Sequence, residues 1–181
     1  MKVYTVADIQ ALGPCSNHNP LTYVDITWSG TVIDILNCTQ VSVVNRLWVV
    51  YRLLDDKTLR LFAIACARRA LTSVVNPDIR SIEACNIAEK YANGEATKDE
   101  LMDAAKHAGA AAEHAGAAAE LAAYAAYDAT DYAAGAAAYA AARHAGAAAE
   151  LAANAADYVA AAAAYAAERQ WQVECLLNML K

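Results

Sequence analysis

From residue 42 onward, apolar side chains recur every three or four positions, the spacing that lines one face of an α-helix. After Ser42 come Val43, Val44, Leu47, Trp48, Tyr51 and Leu54, a first helix interrupted at Asp55 and Asp56. Asp56 is a suitable N-cap for a second, with Leu59, Phe62, Ala63, Cys66, Ala67 and Ala70 inward and an end near Val75. Asn76 and Pro77 offer a cap and a first-turn proline for a third, in which Ile79, Ile82, Cys85, Ile87, Ala88 and Tyr91 lead to a stop at Asn93 and Gly94. Thr97 and Glu100 have capping-box spacing and open a fourth.

The first forty residues break this rhythm. Thr5 and Asp8 can cap a short helix reaching Leu12, which Gly13 and Pro14 end, and residues 15–23 read as an exposed loop. Residues 24–28 alternate like a short strand without an evident partner, which predicts extended chain at most. Ser29 then caps a helical turn or two containing Ile33, Ile35 and Leu36.

Beyond Ala104 the pattern changes, with 38 alanines among residues 104–167. One uninterrupted helix over these residues would be about 96 Å long, too long for a compact domain of this size. Breaks are expected near Asp128 and Asp131 and around His144 and Gly146. The string HAGAAAELAA occurs at 114–123 and again at 144–153, and residues 131–143 are echoed at 157–169, which predicts duplicated helices stacked side by side. Leu121, Tyr124, Tyr132, Gly135 and Tyr139 form one stripe, and Leu151, Tyr158 and Tyr165 another, as knobs between alanine-lined holes. Trp171, Leu176, Leu177, Met179 and Leu180 should cap the stack or return onto the earlier helices. The expected fold is therefore all-α: a short irregular segment (1–41), a helical subdomain (42–103), and repeated alanine-rich helical hairpins or a bundle (104–181) continuous with it.

Composition adds little to this and excludes much. The chain is 59% hydrophobic over 181 residues, but alanine dominates that figure, so the excess favours helix rather than bulk burial. The net charge of −6 is uneven: residues 1–98 carry 10 Lys/Arg against 9 Asp/Glu, and residues 99–181 carry 4 against 11. So acidic a C-terminal half argues against direct sequence-specific DNA binding, which draws on Lys and Arg, and favours a basic partner. The five cysteines, an odd number without a CxxC pair, do not resemble a disulfide scaffold or a zinc ribbon, and no apolar run reads as a signal peptide or a membrane span. A cytoplasmic location is expected.

Candidate chemistry is sparse. His107 and His114 lie about 10 Å apart along a helix and cannot chelate one metal ion. Cys38, Cys66 and Cys85 fall on apolar stripes as small hydrophobes. Glu113, Glu120, Asp128, Asp131, Glu150 and Asp157 form an acidic series that reads as a ladder on a helix exterior: a solvated face, or a row of charge docking on a basic groove. Arg52, Lys57, Arg60, Arg68 and Arg69 crowd the first two long helices; Arg60, Arg68 and Arg69 could hold an anionic ligand, although such arginines more often pair with acids of their own chain. No phosphate loop, catalytic triad or metal motif is present, and no cofactor is implied.

Residues 59–68, then 88–97, the alanine tract, and Glu168 to Gln172 together resemble a group of small alanine-rich phage and bacterial accessory proteins, some labelled immunity proteins. The resemblance covers about residues 42–181 and carries no residue of assigned chemistry. It implies a mobile-element protein that acts by binding. The expectation is a non-enzymatic, anti-CRISPR-like inhibitor that docks on a type II CRISPR nuclease or its guide-RNA complex. A toxin-neutralising immunity protein and a sponge for a nucleotide signal are the alternatives, and duplicated helical surfaces would suit a homodimer.

Overall fold

The computed structural model describes residues 1–14, 23–72, 76–115 and 158–181, and over these the chain is all-α apart from one very short ladder. Strand β1 (Tyr4–Thr5) pairs antiparallel with β2 (Ser29–Gly30), Tyr4 opposite Gly30. The expected strand at 24–28 is instead turn and bend, and the extended pair lies just beyond it. The Asp25 carboxylate explains the shift, because it accepts from both the amide and the hydroxyl of Thr27 and curls the chain before Ser29. Gly30 is required there by close approach: a Cβ would stand 2.8 Å from both Asp34 Cβ and the Trp28 ring.

Two six-residue helices flank the ladder, α1 (Val6–Ala11) and α2 (Val32–Asn37). Each opens with a reciprocal capping box, Thr5 with Asp8 and Thr31 with Asp34. The cap of α2 is thus Thr31, not Ser29, whose backbone is committed to the ladder. Val6, Ile9, Val32, Ile35 and Leu36 are buried, so residues 1–41 contribute to the core that the later helices share.

The long helices are α3 (Val43–Leu53), α4 (Asp56–Thr72), α5 (Ile79–Ala92), α6 (Lys98–Ala115) and α7 (Tyr158–Met179). On α4 all six residues expected inward are buried. Its cap is Asp55 rather than Asp56: the Asp55 carboxylate accepts from the Thr58 amide and hydroxyl. The cap of α5 is Asp78, which accepts from the Arg80 amide, while Asn76 adopts a left-handed φ of 57° outside the helix. The stop at Asn93 and Gly94 holds: Gly94 has φ +79° and nothing within 4 Å of an added Cβ, a purely conformational requirement for glycine. Thr97 and Glu100 form the expected capping box.

The expected face of α3 packs on the core except at Val44: Leu47 and Tyr51 are buried, and Val43, Trp48 and Leu54 lie partly buried against it. Val44 is 41% exposed, whereas Asn45, Arg46, Val49 and Val50 are buried. Arg46 is buried because it donates from Nη1 to the Leu36 carbonyl, in the last turn of α2, where carbonyls lack helical partners. The guanidinium therefore packs inward, anchored by that bond, and polar positions join the buried face of α3.

Helix α5 packs between α4 and α6, α2 packs on α3, and α7 returns to lie against α2, α3 and α4. Leu36, Leu47, Leu59, Phe62, Leu101 and Leu176 are fully buried in one core, with Tyr51 and Phe62 rings 5.5 Å apart. Each such side chain contributes about 1.5–3 kcal/mol of burial. The expected return of the C-terminal helix onto the earlier helices is therefore met. The breaks near Asp128 and His144, the duplicated stack, and the stripe from Leu121 to Tyr139 lie outside the described residues.

Candidate functional site

A cleft of about 520 Å3 opens between α4, α5 and α7. Its apolar part comes from Leu61, Ile64 and Ala65 of α4, with Trp171 and Met179 of α7. Its polar part is a pair of consecutive arginines, Arg68 and Arg69, with Thr72 one turn on and Glu89 from α5. Consecutive residues on a helix point about 100° apart. The two guanidiniums accordingly engage different neighbours, one towards α5 and one towards α7.

Arg68 donates from Nη2 to Glu89 Oε2 at 2.6 Å and to Asn86 Oδ1 at 3.0 Å. Both side chains of the ion pair are about two-fifths exposed. The hydrogen bond raises the Arg68 pKa and holds the Glu89 carboxyl below its ordinary range. Arg69 donates from Nε to Glu168 Oε2 at 2.7 Å, and its guanidinium lies 4.5 Å from the Trp171 ring centroid. This pair is asymmetric: Glu168 is 5% exposed and Arg69 41%.

Arg60, grouped with these two by sequence, stands apart from the cleft. It sits 3.9 Å from Asp56 one turn away and over the Tyr91 ring at 5.5 Å. Arg52 likewise folds back over Trp48, 3.8 Å from the ring centroid. The structure thus brings two of the three candidate anion-binding arginines together, each tied to a carboxylate of its own chain.

Of the acidic series, Glu113 falls on the backbone of α6, and its side chain is outside the description. Glu120, Asp128, Asp131, Glu150 and Asp157 lie outside the described residues.

A buried polar seam on α7 was not singled out from the sequence. Glu168, Arg169 and Gln172 are buried where α7 meets α3 and α4. Arg169 donates to the Tyr165 hydroxyl at 2.9 Å from Nη2 and to Gln172 Oε1 at 3.2 Å from Nη1. The available signal was spacing: Tyr165, Glu168, Arg169 and Gln172 repeat at three- and four-residue steps beside Leu176. Polar residues at those steps read as a solvent face unless the partner surface is known. Burial pushes the Tyr51 hydroxyl and the Cys66 thiol well above their ordinary pKa values, and pushes the Cys85 thiol up to about 11.

Among the described residues, no group of three or more His, Cys, Asp or Glu could hold a metal ion, and no helix is long and apolar enough to cross a membrane. A second hollow of about 40 Å3 beside Trp28 and Cys38 is too small for more than solvent. What the fold and cleft define is a small all-α protein with an arginine-bearing cleft. No family model, curated protein or solved structure matches the chain.

Proposed function

We propose that the chain is a phage-encoded, non-enzymatic inhibitor that acts in the host cytoplasm. It docks its acidic C-terminal half on a basic protein or ribonucleoprotein of a bacterial defence system, most concretely a type II CRISPR nuclease or its guide-RNA complex. The observation that supports this reading is the fate of the arginines. Arg60, Arg68, Arg69 and Arg80 each lie in an ion pair with a carboxylate of the same chain, Asp56, Glu89, Glu168 and Asp78. Each pair is neutral, so the net charge of −6 rests on carboxylates outside these pairs. A field of one sign speeds encounter with a basic surface and fixes orientation, while a few aromatic anchors supply affinity.

The test is cleavage of target DNA by a type II nuclease with guide RNA, titrated with the purified protein across salt concentrations. Inhibition near stoichiometric ratio that weakens with salt is expected. The triple change Glu113→Lys, Glu120→Lys and Glu150→Lys should weaken inhibition while leaving the circular dichroism spectrum and melting temperature unchanged. Undiminished inhibition by that variant would sink the acidic-face reading.

A further inference from the structure

The cleft between α4, α5 and α7 has features that protein docking through the acidic half does not use. Its two arginines use only part of their donor sets within the fold. Arg68 spends Nη2 on Glu89 and Asn86, and Arg69 spends Nε on Glu168. Nε and Nη1 of Arg68, and both Nη groups of Arg69, have no hydrogen-bond partner among the described residues. Guanidinium donors fixed by ion pairs to carboxylates form a pre-organised donor site for an anion, because part of the rotamer entropy of both arginines is already spent.

The rest of the cleft selects what carries the oxyanion. At about 520 Å3 it is much larger than a phosphate ion. Leu61, Ile64, Ala65 and Met179 give it an apolar wall, which calls for a flat, poorly hydrated body. Glu89, also on the lining, is an acceptor for amino or hydroxyl hydrogens of that body. A bare anion would leave this wall wet, and an uncharged ring would leave the guanidinium donors to water.

We infer that this cleft binds a free nucleotide, its phosphate on Arg68 and Arg69 and its base against the apolar wall of α4. The ion pairs to Glu89 and Glu168 stay in place and orient the donors. No residue of the acidic C-terminal series is among the residues that line the cleft, so the two readings are tested by different variants.

Isothermal titration of the full chain with AMP, GMP, adenosine and inorganic phosphate tests it. One of the two nucleotides should bind with a dissociation constant below about 1 mM, at least about tenfold tighter than either phosphate or adenosine. Arg68→Gln should weaken that binding about tenfold or more, the size of a lost charged hydrogen bond. Ala65→Phe, which fills the cleft and leaves both ion pairs intact, should abolish it with the helical spectrum unchanged. Heat-free titrations with both nucleotides, phosphate binding as tightly as the nucleotides, or undiminished binding by a folded Ala65→Phe protein would each overturn the assignment.

Discussion

Replacing Arg69 by methionine keeps most of the aliphatic stem and removes the guanidinium that faces Glu168. The Glu168 side chain is 5% exposed, so the change removes the Arg69 ion pair from a carboxylate that water scarcely reaches. Breaking a buried ion pair from one side costs about 3–5 kcal/mol. Here the arginine end is 41% exposed and the cleft admits water beside it, which reduces the loss to about 2 kcal/mol. Loss of the Trp171 contact adds about 0.5 kcal/mol. The expected total, about 2–3 kcal/mol, lowers the melting temperature by about 5–10 °C. Urea denaturation followed by circular dichroism reads it directly. In the double variant Arg69→Met with Glu168→Gln the buried charge is removed along with its counter-charge, so at least half the stability should return, and the cycle should show coupling above about 1 kcal/mol. A loss below about 0.5 kcal/mol for Arg69→Met, or a double variant as unstable as the sum of the singles, would refute the view that this pair anchors α7 to α4.

Gly94→Ala should cost about 1–2 kcal/mol, because the left-handed φ of +79° penalises a Cβ although nothing crowds it; Gly94→Asn should cost less in the same thermal melts. Stability should fall in acid, because Asp8, Asp34, Asp55 and Glu100 are held below their ordinary pKa by threonine amides and hydroxyls, and Glu89 by Arg68. A depressed folded pKa means the stabilisation is complete above the ordinary values of 3.8 and 4.5 and drains away as pH drops through the lower folded values. The urea midpoint should therefore be flat from pH 7 to about pH 5 and decline below pH 4. Thiol labelling at pH 8, mapped by mass spectrometry, should find Cys66 and Cys85 modified only after unfolding and Cys38 and Cys175 before them, since burial keeps the former two protonated and covered.

The elements of this protein were legible wherever a local rule sufficed. Periodicity marked six inward residues of α4 and all six are buried, while Ile64 and Leu71 beside that stripe are buried as well, because α4 is packed from more than one side. The capping boxes at Thr5 and Thr97 and the stop at Gly94 were legible because their donors and acceptors lie within four residues of one another. Errors of one or two positions arose where two acidic or polar residues compete for the same amides, as Asp55 does with Asp56 and Asp78 with Asn76. On α3 the apolar stripe was legible except at Val44, but the burial of Arg46 was not, because it pairs with a carbonyl on another helix, a contact that no spacing within α3 encodes.

The cleft belonged wholly to tertiary structure. Charge and spacing marked Arg60, Arg68 and Arg69 as a group, but only the packing of α5 and α7 against α4 supplied Glu89 and Glu168 and left Arg60 to Asp56 and Tyr91. Glu168 lies far along the chain from Arg69, and its burial depends on α7 returning to the earlier helices. By itself the sequence determined the helices, most of their ends and the imbalance of charge, because these depend on near neighbours. Which arginines share a cleft, and which polar residues of α7 leave water, was decided by how distant helices meet.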